Sequence, residues 1–279
     1  MSQRHEAEQQ LALYGDLGEI MGAMKNLAQV ELHRVSRLTL AQQVCRQHVR
    51  QAMEVYALTH AVPPLQKEHR QIYIVIGSER GFCASFNDAP KNHVYSLLER
   101  APRPAIILVG SRLAVSCGSA ADGMPVVAGA NTALEISAVL EALVEQLDRI
   151  LVADGFFQVT VVYPSADGLQ RESILPFKAE PQENAALVPA RLNVSPESLF
   201  AALARHWLYH SLLAALYISL QTENHMRLGQ MEGAIRHLND SSDALKVQIN
   251  RLRQEAIVEE IEVIFSKQQG AWLQGDRSQ

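Results

Sequence analysis

All eleven prolines of this 279-residue chain lie between Pro63 and Pro196. Proline lacks a backbone donor and clashes with the preceding helical turn, so it breaks helix interiors. The two proline-free tracts at the chain ends are therefore free to form unusually long helices, and the segment between them must be organised differently. This shift in composition divides the chain into an N-terminal coiled-coil helix (1–62), an α/β domain (70–178), a linker (179–195) and a C-terminal coiled-coil helix (196–279).

Both end tracts carry heptad patterns. Leu13, Leu17, Ile20, Met24 and Leu27 step by four and three, the spacing of a coiled-coil seam, and the stripe shifts to Ala28, Leu32, Val35 and Leu38. Gly15, Gly18 and Gly22 weaken the first turns; they either allow close approach of a partner or fray the helix end. The C-terminal tract opens on Ser195, Pro196 and Glu197, an N-cap, a first-turn proline and an acid at the positive end of the dipole. Met231, Leu238, Leu245 and Leu252 then recur every seven residues, with Ile235, Ser242, Ile249 and Ala256 as companions. An uninterrupted helix from 196 to 269 would be about 110 Å long at the usual rise per residue. The competing arrangement is several shorter helices with loops at 223–224 and 239–242; the absence of proline and the sustained heptads favour one helix. A compact domain between the tracts returns both ends to one side, so they are expected to pair antiparallel.

The middle alternates in type. Residues 71–77 (QIYIVIG), 105–110 (AIILVG) and 158–163 (QVTVVY) read as buried strands, 125–127 as a short one and 172–177 as an edge. Residues 87–100 and 132–152 read as helices. Such alternation predicts an α/β layer with a mostly parallel, Rossmann-like sheet. The expected fold class is thus α/β, with a long antiparallel two-helix coiled coil attached.

Composition narrows the function. Net charge is −5 and only 6% of residues are aromatic, which argues against a nucleic-acid partner. Three scattered cysteines, Cys45, Cys83 and Cys117, form no C-x-x-C pair and no disulfide framework. The first ten residues do not read as a secretory signal, and the best membrane-span candidate, 199–220, is interrupted by Arg205, His206 and His210.

Candidate chemistry is sparse. The loop 77–87, GSERGFCASFN, follows the first strand, where open α/β sheets place ligands, yet it matches neither a P-loop nor G-x-G-x-x-G. A structural strand-to-helix turn, with Glu79 and Arg80 contacting neighbours, is the expected role. Cys83 has no identifiable base, so a packed thiol is favoured over a nucleophile. His206 and His210 share a helix face but lack a third ligand, and no metal site is expected. Arg251 precedes Glu255 by four, a local helix pair, whereas Arg253 has no acid four residues away and is a candidate for reaching another subunit. No catalytic constellation stands out. The residues describe a mechanical or scaffolding protein.

Three segments carry a family resemblance. IMGAMKNLAQVELHR (20–34) resembles the I-T-x-A-M-x-x-V-A signature of the gamma subunit of rotary F-type ATP synthases. SERGFCASFN (78–87) resembles that family's D-R-G-L-C-G-x-x-N loop, and NRLRQEAIVEEIEVI (250–264) its N-x-x-R-Q-x-x-I-T-x-E-I-x-E-I helix. The resemblance implies a central-stalk rotor without cofactor or bond chemistry of its own. It implies alpha and beta subunits of the catalytic hexamer, an epsilon subunit and a membrane c-ring as partners, with no nucleic acid and no direct small-molecule substrate. The implied location is peripheral, on the cytoplasmic face of the bacterial inner membrane. By position, Met24 and Lys25 fall where the shaft meets the moving lever of beta, and Arg253 and Gln254 where it bonds the catch loops. Arg80, Gly81, Cys83 and Asn87 belong to the lower-domain loop. Met21, Ala84, Ser85 and Val258 depart from the family pattern, and residues 1–62 balance six basic against six acidic residues, which suggests a divergent branch. The alternative is a cytosolic α/β nucleotide-binding enzyme with a coiled-coil dimerisation arm; a coiled-coil adapter without a motor is a third reading.

Overall fold

The structure, a computed structural model, describes residues 2–60, 70–154, 157–178 and 192–275. Most of the expected linker, and the last two residues of the expected N-terminal helix, lie outside them. Both chain ends are single helices: α1 is Ser2–Thr59 and α5 is Pro196–Gly275. The arrangement of shorter helices does not occur, because Glu223, Asn224 and residues 239–242 all lie inside α5. Between them run β1 (Arg70–Ile76), α2 (Asp88–Leu98), β2 (Ala105–Val109), α3 (Ser111–Cys117), β3 (Val126–Val127), α4 (Ile136–Asp154), β4 (Phe157–Ser165) and β5 (Gly168–Leu175). The sequence reading missed α3 and the 3₁₀ turn Gly118–Ala121 after it, since seven residues are too few to display a helical period.

Two compact units divide the chain: residues 27–230, and residues 1–26 together with 231–279. In the first, the sheet order is β3-β2-β1-β4-β5, with β1 parallel to β2 and β4 and only β5 antiparallel. Ile72 and Ile74 point to a core built with Leu140, Leu143 and Leu147 of α4 and Leu212, Ala215, Leu216 and Leu220 of α5. Tyr73, Val75, Ile106 and Leu108 point to the other face, against Val94 and Leu97 of α2 and Leu113 of α3. Burial on both faces explains why β1 and β2 read as continuous apolar runs rather than alternating ones. Trp207 anchors α5 to the sheet edge: its indole N–H donates to the Ile174 carbonyl at 2.9 Å, and the Arg46 guanidinium lies 5.2 Å above its ring. Along the same unit α1 runs antiparallel to α5. Gln221 donates to Ser36 at 3.3 Å, Gln42 to the His210 carbonyl at 3.2 Å, and Tyr56 to the Pro196 carbonyl at 3.1 Å.

In the other unit the C-terminal seam is the expected one as far as Leu252, with Met231 and Ile249 buried; Ala256 beyond it is exposed. The N-terminal seam is the expected one in part: Leu17 and Met24 are half-buried, but Leu13 and Ile20 are exposed, and Ala7, Leu11, Tyr14 and Met21 are covered in their place. Both sets have a period of seven, so heptad spacing alone does not choose between them. A Cβ added at Gly15, Gly18 or Gly22 would meet nothing within 4 Å, so these glycines permit no close approach within the chain.

Candidate functional site

The loop that leaves β1, residues 78–87, is built from backbone and side-chain hydrogen bonds. Asn87 closes it: its carbonyl oxygen accepts from the Ser78 backbone N–H at 2.9 Å, and its amide donates to the Ser78 hydroxyl at 2.7 Å. The Cys83 thiol donates to the same hydroxyl at 3.4 Å. Phe82 and Ala84 hold left-handed backbone conformations, φ 60° and 49°, which cost of order 1–3 kcal/mol each in a non-glycine residue. The turn aims Phe82 outward, 58% exposed, and Cys83 inward, 4% exposed. Burial raises the Cys83 pKa, only partly offset by its Ser78 hydrogen bond, so the thiol stays protonated and is a poor nucleophile. The expectation of a packed thiol holds.

Glu79, near the start of the loop, ties it to the segments that follow β2 and β3. Glu79 accepts from the Ser111 backbone N–H at 2.8 Å, the Ser111 hydroxyl at 2.7 Å and the Gly129 N–H at 2.7 Å. Burial alone would raise its pKa, but these three bonds outweigh it and the net shift is downward. The backbone around it is tight. A Cβ on Gly77 would lie 2.5 Å from the Leu113 Cβ, and Gly110, with φ 106°, passes so close that a Cβ would sit 2.6 Å from the Ser78 carbonyl oxygen. The side chain of Glu31 from α1 supplies a further acceptor, to the Ala133 N–H ahead of α4.

Helix α5 covers the loop with a buried ion pair. Arg227 and Glu223, one turn apart and 8% and 3% exposed, bond each other directly. Arg227 also donates to the Asn224 side-chain oxygen at 3.1 Å and to the Gly81 carbonyl at 3.4 Å. Burial pushes Glu223 up to about 7, against the opposing charge and hydrogen bond of Arg227. Spacing i, i+4 was visible in the sequence as an ordinary helix pair; nothing in it announced burial. The expected loop residues Arg80, Gly81, Cys83 and Asn87 are thus brought together, and Glu223 and Arg227 are the addition.

The other expected residues lie in the unit of the two chain ends. Lys25 pairs with Glu232 at 3.0 Å, both partly exposed, and Met24 is half-buried beside it. Arg253 and Gln254 are exposed. Arg253 contributes to the lowered pKa of Glu8, whose larger cause is the hydrogen bond from Arg4, so the arginine lacking a partner on its own helix faces an acid on α1. Arg251 pairs with Glu255 at 2.8 Å as expected. His206 and His210 stack, and the Nδ1 of His210 lies 2.7 Å from the Gln42 amide. Among the described residues no three metal-ligating side chains gather, and no helix is long and apolar enough to cross a membrane.

The architecture defines a class: a Rossmann-like α/β domain together with two long helices, one from each chain end, that run antiparallel. A family model described as ATP synthase matches residues 3–268, and the chain belongs to that family, as a gamma subunit. ATP synthase gamma chains of Clostridium botulinum and Clostridium beijerinckii are 25% and 27% identical to it over 205 and 202 residues. The alignments cover 70% of this chain and 71% and 70% of those chains. Among solved structures, the rotor of the Euglena gracilis mitochondrial ATP synthase matches with a TM-score of 0.63 at 16% identity, over 92% of this chain and 99% of that one. A chain in the OSCP/F1/c-ring structure of the same enzyme gives 0.67 at 15% identity, over 96% and 94%. The central stalk and c-ring structure from Tetrahymena thermophila gives 0.54 at 18%, over 77% and 99%.

Proposed function

We propose that this chain is the central-stalk rotor of an F-type ATP synthase, turning within a hexamer of alpha and beta subunits and coupling ion flow to ATP synthesis or hydrolysis. It performs no bond chemistry itself. Its partners are the alpha and beta subunits, an epsilon subunit and the membrane c-ring, and it sits peripherally on the cytoplasmic face of the bacterial inner membrane.

The observation that carries the reading is the family match over nearly the whole chain, on a pair of helices that run antiparallel without a break. A shaft requires two physical properties. It must resist torsion, which a sustained helix pair provides. It must also present different surfaces to three equivalent catalytic sites, because an element biases an equilibrium only through differential contact energy. Different segments of the two helices supply that asymmetry. Met24 and Lys25 meet the lever of beta, and Arg253 and Gln254 meet its catch loops. Arg80, Gly81, Cys83 and Asn87 shape the lower-domain loop. The nucleotide-enzyme alternative has less support, because the loop after β1 matches neither a P-loop nor G-x-G-x-x-G.

Affinity purification of the tagged chain from its native membrane tests the reading. Alpha and beta subunits should co-purify, and truncation before Leu245 should abolish coupling. A complex that assembles and couples ATP hydrolysis to ion movement without this chain would end it.

A further inference from the structure

Loop 78–87 has an unusual load on it. Two non-glycine residues, Phe82 and Ala84, sit in left-handed conformations, and Phe82 holds its large apolar ring out in solvent. Such a loop keeps one shape only if its surroundings over-determine it. Part of the constraint is internal, from Asn87, Ser78 and Cys83. The rest comes from α5. Arg227 reaches the Gly81 carbonyl, the residue next to Phe82, while Glu223 and Asn224 hold the guanidinium in place. Asn224 is itself fixed, donating to the Leu220 carbonyl at 2.9 Å. Glu79, Arg80 and Cys83 all lie within electrostatic range of the pair.

A buried ion pair is weak evidence for stability, since apolar side chains of similar volume often serve as well. Its better-attested use is to fix one arrangement among several that apolar packing would tolerate. Here the pair lies where a helix crosses a strained loop.

We propose that Glu223 and Arg227 are positioning residues that clamp loop 78–87 to α5 and so hold Phe82 in its outward setting. The clamp lets a turning force on α5 reach the loop through a directional polar contact. That use rests on the rotor reading; the clamp itself does not.

The test uses the isolated full-length chain and its own three cysteines, one exposed and two buried. Maleimide labelling is followed at each by peptide mass spectrometry. Cys45 reports the intrinsic rate, Cys83 reports opening of the loop, and Cys117, the buried last residue of α3, reports loss of the domain. The double variant Glu223→Met with Arg227→Met replaces the pair by apolar side chains that keep the helix packed. The Cys83 to Cys45 ratio should rise roughly tenfold or more while Cys117 stays protected, because the charge-assisted bond to the loop is gone. Arg227→Lys keeps a donor and should remain well below the Met pair. A Met pair with Cys83 still protected, a Lys variant as open as the Met pair, or Cys83 and Cys117 opening together would each overturn the clamp. Failure of alpha and beta subunits to co-purify would end the rotor reading and leave this result unaffected.

Discussion

The carboxylate of Glu79 accepts from the backbone N–H and the hydroxyl of Ser111 at 2.8 and 2.7 Å, tying the loop after β1 to the start of α3. It also accepts from the Gly129 N–H, so one side chain satisfies backbone donors after both β2 and β3 and fixes the loop after β1 to them. Replacing Glu79 with Ala leaves the Ser111 and Gly129 N–H groups without acceptors. The expected cost is about 1–3 kcal/mol per unsatisfied donor, reduced where water can enter. Urea denaturation of the full chain measures it. The pKa of Glu79 is lowered on folding, so its stabilisation is present above the unfolded value near 4.5 and is lost as pH falls through the lower folded value. The difference between wild type and Glu79→Ala should therefore shrink below about pH 4.5.

Trp207 joins three elements: it bonds Ile174 on β5, underlies Arg46 of α1 and packs edge-on against Phe177 at 5.3 Å. Truncation to alanine removes a buried aromatic side chain and leaves the Ile174 carbonyl without its donor. A loss of about 3–5 kcal/mol is expected. Differential scanning calorimetry reports it, and a cost below about 1 kcal/mol would show that the helix is held to the sheet by other contacts.

These sites differ in how far the sequence disclosed them. Proline placement and the heptads from Met231 to Leu252 were enough to give both long helices, because helix continuity depends on local rules. The strands were visible because a sheet buried on both faces leaves unbroken apolar runs. The seam of α1 was legible only in part: Leu17 and Met24 are half-buried, whereas Leu13, Ile20 and Leu27 on the same stripe are exposed, and only the partner helix decides which side is covered. Likewise, Glu223 and Arg227 look in sequence like the surface pair Arg251 and Glu255; burial, a property of the whole fold, separates them.

His93 is 4% exposed and its Nε2 has no hydrogen-bond partner among the described residues. Burial first, and then the positive charges of Arg171 and Arg100, depress its pKa from 6.5 to about 4. Tyr73 faces it edge-on at 6.0 Å. In the unfolded chain the imidazole takes up a proton near pH 6.5, whereas in the folded chain it resists until about 4. Its contribution to stability is thus complete above the unfolded pKa and is lost as pH falls between those values. Substitution by leucine removes the titrating group, and the stability of His93→Leu should fall less steeply across that window. Urea midpoints measured at intervals from pH 7 to about pH 4 give the slopes, and parallel slopes would show that His93 does not carry the dependence.

Arg253 and Lys25 allow a role in the fold to be told apart from their proposed role in the complex. Lys25 bridges Glu232 at 3.0 Å with both side chains partly solvated, and Arg253 lies exposed near Glu8. Exposed pairs contribute about 0–1 kcal/mol. Arg253→Ala and Lys25→Ala should therefore leave the helix content and the unfolding midpoint of the isolated chain nearly unchanged. If these residues instead face catalytic subunits, their cost appears only after assembly, as slower ATP hydrolysis at unchanged subunit stoichiometry. Truncating one member of a desolvated interfacial charge pair typically costs 2–5 kcal/mol, so the effect on the assembled complex should far exceed that on the free chain. Steady-state hydrolysis by the reconstituted complex, compared with circular dichroism of the free chain, separates the two. An unchanged rate with Arg253→Ala would remove this arginine from the contacts that drive turnover.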